Sequence, residues 1–146
     1  MLNRLQELFE SLEKREVKYV VIGGIAAILH GVPRATLDLD MLIEASRENA
    51  DRMLAAFSDA GLGTAVLLDA DELLANEITV FKDRVRIDVQ TSTPGLEFSQ
   101  AWKNRVGMSY AGQSFFVVSK EDLVASKLGA GRPKDLEDVR LLELPE

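Results

Sequence analysis

Cysteine is absent from the 146-residue chain, which removes both a disulfide framework and a thiolate-ligated zinc site. Histidine occurs once, at His30, so a metal centre built from several histidines is excluded as well. The opening residues, MLNRLQELFESLEKRE, contain no continuous apolar run, which argues against a secretory signal or a membrane anchor. A cytoplasmic location with no membrane contact is the expectation. Cations are outnumbered: 17 Lys and Arg against 24 Asp and Glu leave a net charge of −7. A broad nucleic-acid footprint wants Lys and Arg clustered over a large face, so long polynucleotides are disfavoured unless a partner supplies the basic surface. A single nucleotide remains admissible, because a metal and a few local cations suffice for its phosphates. Repeats, low-complexity tracts and linkers are lacking too. With 47% hydrophobic and 28% charged residues the composition is that of a soluble globular protein, and the length suits a single domain, residues 1–146.

The apolar pattern orders the elements. Leu2, Leu5, Leu8, Phe9 and Leu12 recur at helical spacing, predicting an amphipathic helix over 2–15. Tyr19–Ile22 reads as a short buried strand that ends at Gly23-Gly24, and Ile25–His30 as a short helix closed by Gly31 and Pro33. Leu37–Glu44 alternates, with Leu39, Met41 and Ile43 on one face and Asp38, Asp40 and Leu42 on the other. Ser46 caps a helix over 47–60 that Gly61 ends. Residues 62–76 read as a strand near Ala65–Leu68 followed by a brief helix in Asp71–Leu74. Glu77–Phe81 and Val85–Gln90 form a hairpin, Phe98–Arg105 a helix, and Gly107–Tyr110 and Ser114–Val118 a second strand pair. Ser119 opens a helix over 120–128, broken by Gly129, Gly131 and Pro133, and Leu136, Val139 and Leu142 mark a final helix. The expected fold is a mixed sheet with helices.

The most informative feature is Asp38-x-Asp40. On an extended segment both carboxylates leave the same face, about 7 Å apart. Two acids so placed repel each other unless a cation sits between them, and a hard ion such as Mg²⁺ takes a few carboxylates together with substrate phosphate oxygens. Asp88 lies on the polar face of the hairpin's second arm, with Arg86 and Gln90, opposite Val85, Ile87 and Val89. A strand bearing Asp88 beside the one bearing Asp38 and Asp40 would gather three carboxylates within reach of one or two metal ions, an arrangement suited to in-line displacement at phosphorus.

Gly23-Gly24, then Asp38-x-Asp40, then Asp88 in VRIDVQ resembles the nucleotidyltransferase superfamily, the polymerase-β-like fold. Within it the chain looks most like the small single-domain branch of minimal nucleotidyltransferases and abortive-infection toxins. That branch's Arg-x-Thr-x-Asp-x-Asp pattern is matched by Arg34 to Asp40, and its closing segment by Lys127 and Gly131-Arg132-Pro133-Lys134-Asp135. The fragments occur in the expected order over residues 18–142. The resemblance implies an α+β fold, a nucleotidyltransferase-like mixed sheet flanked by helices. It implies Mg²⁺ held by Asp38, Asp40 and Asp88, with catalysis by these acids and Lys127. Nucleotide would be bound through Gly23, Gly24, Arg34, Thr36, Lys127, Arg132 and Asp135. The donor would be an NTP, with ATP expected, and the acceptor a hydroxyl or phosphate on a protein, a transfer RNA or a small molecule. The glycine turn reads Gly-Gly where many active members carry Gly-Ser. A non-catalytic partner subunit, as in a toxin–antitoxin pair or a homo-oligomer, is therefore the alternative.

Each residue also has a plainer reading. Gly23-Gly24 is either a simple strand-to-helix turn or a place where backbone approaches phosphate. Arg34 either pairs with Asp38 or reaches the nucleotide, and Thr36, on the face of Asp38, is placed to hold its carboxylate. Lys127 either snorkels or points into a charged pocket. Arg132 and Lys134 either contact phosphates or are solvated at a helix entry. Asp135 and Asp138 are accounted for by the positive end of the last helix. His30 is a packed, hydrogen-bonded residue, and Trp102, Phe115 and Phe116 belong to the core. A Rossmann-type site is disfavoured because Gly-x-Gly-x-x-Gly is missing.

Overall fold

In the computed structural model, which describes residues 2–145, helix α1 (Leu2–Lys14) buries Leu5, Leu8, Phe9 and Leu12 on one stripe. Strand β1 (Tyr19–Ile22) is buried at all four positions, as its unbroken apolar sequence requires. Helix α2 (Gly23–Leu29) follows at once, and strand β2 (Asp38–Ile43) runs back antiparallel to β1. Helix α3 (Arg47–Asp59) starts where the Ser46 hydroxyl accepts from the Asn49 amide at 3.2 Å. Beyond it lie α4 (Ala70–Leu74), the hairpin β3 (Ile78–Lys82) and β4 (Arg86–Gln90), α5 (Phe98–Lys103), and the hairpin β5 (Val106–Tyr110) and β6 (Gln113–Val117). Helices α6 (Lys120–Ala130) and α7 (Pro133–Leu142) close the fold. None of the described helices is long and apolar enough to cross a membrane.

The six strands form one mixed sheet in the order β3-β4-β2-β1-β6-β5, with β2 parallel to β4 and β1 parallel to β6. One face carries Leu39, Met41, Ile43, Ile87, Val89 and Phe81, all buried. Phe81 meets Phe57 of α3 edge-on, with ring centroids 5.0 Å apart. The other face is apolar at Val20 and Leu42, and its acids gather at the end where β2 begins. The α+β architecture with a mixed sheet is the one the sequence predicts.

Three local expectations fail, each for a visible reason. Ala65–Leu68 is not a strand: residues Gly63–Leu67 form a 3-10 turn, with i→i+3 bonds from Ala65 N to Leu62 O and from Leu68 N to Ala65 O. Leu62 and Ala65, three apart, are buried, while Val66 and Leu67 are left exposed. Gly129 does not break α6. It lies inside that helix because Gly95 crosses there, and a Cβ on Gly129 would stand 2.9 Å from the Gly95 Cα and N. The left-handed cap that does end α6 is Gly131, with φ of 67°. Finally, Leu136 is half exposed, and the buried stripe of α7 runs instead through Asp135, Asp138, Val139 and Leu142.

The Gly95–Gly129 crossing makes a testable point. Alanine is the better helix former by about 1 kcal/mol. Overpacking against a fixed backbone costs about 1–3 kcal/mol. Gly129→Ala is therefore expected to lower the urea midpoint with the slope unchanged; a rise would mean that the crossing yields.

Candidate active site

The polar end of the sheet is assembled by register. Ile22, the last residue of β1, pairs with Asp40, so the turn that follows lands on that carboxylate. Gly23 has φ of 70°, and a Cβ there would sit 2.2 Å from Asp40 Oδ2. A Cβ on Gly24 lies 3.3 Å from Thr36 Cβ, a tight contact. The glycine pair thus permits close approach to Asp40 and Thr36, whatever else it touches.

Strand β4 lies beside β2 with Asp38 opposite Arg86, Asp40 opposite Asp88 and Leu42 opposite Gln90. Parallel partners share a face, so the carboxylates of residues 38, 40 and 88 gather on one side of two adjacent strands. Burial, then the charges of Asp88 and Asp38, push the Asp40 carboxyl up to about 6, against a smaller opposing effect of Arg86. Arg86 Nε donates to Asp88 Oδ1 at 3.0 Å, Nη2 lies 3.5 Å from Oδ2, and Nε is 3.8 Å from Asp38 Oδ2. The hydrogen bond to Asp88, with the charges of Asp88 and Asp38, raises the Arg86 guanidinium above its ordinary range.

Opposite the acids stand α6 and α7. Lys127 is buried and its Nζ donates to Asp138 Oδ2 at 2.7 Å, with Asp135 Oδ1 at 3.7 Å. Arg34 Nη1 donates to the same Asp138 oxygen. Arg34 therefore pairs with Asp138 and not with Asp38: the Asp138 oxygen has lone pairs enough for both cations, while Asp38 is approached by Arg86 instead. Thr36 also differs from expectation: its hydroxyl approaches the Asp38 backbone amide, at 3.4 Å, rather than the carboxylate. Arg132 grips Asp135 through Nε and Nη2 at 2.6 and 3.2 Å. Its backbone amide donates to the same carboxylate, capping α7. Burial works against ionisation of Asp135, yet the Arg132 hydrogen bond and the charges of Arg132 and Lys127 hold it below the usual carboxylate range. His30 is a packed residue, its Nε2 2.8 Å from the Val118 carbonyl.

Between these walls lies a cleft of about 530 Å³, lined by Gly23, Gly24, Thr36 and the three acids on one side and by Lys127, Arg132, Lys134 and Asp135 on the other. The cleft thus brings together all the sequence-predicted site residues. Arg34 is among them, and Arg86, Gln90 and Ser126 join. Reasoning from sequence overlooked Asp138 as a buried partner of Lys127, although its place three residues after Asp135 and four before Leu142 is a helical-stripe signal. It also overlooked Arg86, whose two-residue offset from Asp88 was visible.

The donor set suits a hard divalent ion: three carboxylates, one of them pushed toward protonation by burial and by its neighbours, share the nearby guanidinium of Arg86. The spacing is not a closed one. Among the described residues no group of three or more His, Cys, Asp or Glu is arranged to hold a metal as it stands. Arg86 engages the oxygens of Asp88 in that arrangement.

A strand, a glycine turn into a short helix, an Asp-x-Asp strand and a parallel single-Asp strand beside it define a nucleotidyltransferase-like fold. The crystal structure of a "putative nucleotidyltransferase" from Thermotoga maritima is similar, with a TM-score of 0.63 over 96% of this chain and 90% of that one, at 18% identity. The chain belongs to the family described as nucleotidyltransferase of unknown function (DUF6036), which matches residues 1–145. No curated protein matches the sequence.

Proposed function

We propose that the chain is a metal-dependent nucleotidyltransferase that moves a nucleoside monophosphate from an NTP, with ATP the expected donor, to a hydroxyl or phosphate acceptor and releases pyrophosphate. The observation that carries this reading is the pairing of Asp40 with Asp88 across parallel strands, with Asp38 on the same face, inside a cleft large enough for a nucleotide. Asp38, Asp40 and Asp88 would hold Mg²⁺, which when bound supplies charge neutralisation at the reacting phosphate. The remaining work falls to the chain's own side chains. Asp88 accepts the proton of the incoming hydroxyl at a carboxylate oxygen. Gly23 and Gly24 would let the backbone of the turn approach the phosphates, their α-carbons packing close against Asp40 and Thr36. Arg132, fixed by Asp135, and Lys134 meet the phosphates from the α7 side. Lys127, held by Asp138, sets the positive potential of the cleft wall. The acceptor, whether a protein, a transfer RNA or a small molecule, would enter from the open side, and the working compartment would be the cytoplasm.

A second reading is favoured by the Gly-Gly turn and by the Arg86 contact with Asp88: a non-catalytic nucleotidyltransferase-fold partner, such as one half of a toxin–antitoxin pair. Melting curves separate the two. With Mg²⁺, NTP at 100 times its dissociation constant stabilises the folded state by about 2.7 kcal/mol, a visible shift. Incubation of each labelled NTP with cell extract is then expected to transfer label, and Asp38→Asn to lose that transfer while melting normally. Absence of any shift with all four NTPs would favour the partner reading, and full transfer by Asp38→Asn would remove the acids from the chemistry.

A further inference from the structure

Arg86 stands opposite Asp38 and two residues before Asp88, so strand pairing and the two-residue period force its side chain onto the acids' face. Its guanidinium engages both oxygens of Asp88 and approaches Asp38, yet its side chain is 44% exposed at the cleft. The acids therefore already have a positive charge among them, and it is carried by the chain. We propose that Arg86 is a tethered counter-ion that competes with the divalent cation for the carboxylates and is drawn away by the triphosphate of an arriving nucleotide.

The physical case is one of competition. Arg86 donates to one Asp88 oxygen at 3.0 Å and stands 3.5 Å from the other, so a metal ion reaching Asp88 meets partly engaged lone pairs and a repelling like charge. Until Arg86 leaves, a cation meets one engaged carboxylate and a like charge beside it. A phosphate offers the guanidinium the same two-pronged acceptor as a carboxylate with more negative charge, and the exposed side chain can rotate without disturbing the core. Nucleotide and cation would then promote each other's binding, by an equal factor in each direction. Without nucleotide, Arg86 also relieves the repulsion among the three acids, which accounts for an arginine so close to residues proposed to hold metal.

The inference rests on the metal-dependent reading above, and the test separates the two. Mn²⁺ is titrated into the nucleotide-free protein by electron paramagnetic resonance, using wild type, Arg86→Gln, Arg86→Lys and Asp40→Asn. Arg86→Gln is expected to bind Mn²⁺ about tenfold more tightly than wild type, within the usual range of coupling between sites. Arg86→Lys, which keeps the charge without the fork, is expected to fall between. The melting temperature of Arg86→Gln is expected to be lowered without cation and recovered by Mn²⁺, which a merely structural arginine would not show. Equal or weaker Mn²⁺ binding by Arg86→Gln, with the signal lost in Asp40→Asn, would overturn the counter-ion role and leave the metal site standing. No Mn²⁺ binding by wild type or Arg86→Gln, with or without a non-hydrolysable ATP analogue, would overturn the metal reading and this inference together.

Discussion

Asp40→Asn is expected to melt at a higher temperature than wild type at pH 7 while losing transfer activity by roughly a hundredfold or more. The reason is the carboxyl's position: burial and two neighbouring acids raise it to about 6 from an ordinary 3.8, so ionised Asp40 is a cost to the fold at neutral pH. The sign follows from linkage. Between the unfolded and folded values the native state binds more protons, so stability falls as pH rises from about 4 to about 6 and stays low above that. A shift of about two units corresponds to roughly 2–3 kcal/mol, and asparagine, nearly the same shape but neutral, avoids it. The two proteins should therefore converge below about pH 4 and diverge above it, with a gap of several degrees at pH 7. A variant that melts below wild type at neutral pH would show that Asp40 is stabilised by partners rather than strained by them. Saturating divalent cation should narrow the gap, because the ion compensates the wild-type carboxylate alone.

The second large effect concerns α7. Asp138 accepts from Arg34 and from Lys127, and its side chain and that of Lys127 are 5% and 7% exposed. Removing one partner of a buried pair leaves an uncompensated charge, at a cost of about 3–5 kcal/mol. That is a large share of a domain's usual 5–15 kcal/mol, so Asp138→Ala is expected to be marginal at 37 °C in urea unfolding. Asp135, 3.7 Å from the ammonium, offers only a partial substitute because Arg132 already holds it. Adding Lys127→Met to Asp138→Ala removes the stranded charge and is expected to restore part of the loss. An Asp138→Ala cost under about 1 kcal/mol would mean that the ammonium finds solvent instead.

How much of this was legible in the sequence depends on whether the cause was local. The strand bearing Asp38 and Asp40, and the polar face holding Asp88, follow from two-residue alternation, as do the caps at Ser46 and Ser119 from short-range chemistry. That β4 lies beside β2 does not follow from periodicity and is expected only from the order of motifs in a family; that Asp88 stands level with Asp40 is a matter of register that neither supplies. Asp138 was obscured because an acid in the first turns of a helix already has a sufficient local explanation, whereas its partners lie 11 and 104 residues away. Leu136 looked buried because it continues a three-residue spacing, but charge satisfaction of Lys127 rotates the inward stripe onto Asp135 and Asp138. Gly129 looked like a helix breaker because the backbone that crosses it, at Gly95, is distant in sequence.

The parallel pairing of β2 with β4 also decides when the acidic cluster can exist. Its members are contributed by segments separated by two helices and an outer strand, and no partly folded intermediate that leaves β4 undocked holds them together. A nascent chain therefore carries Asp88 apart from Asp38 and Asp40 until β4 docks on β2, and the three-acid cluster appears with that one pairing.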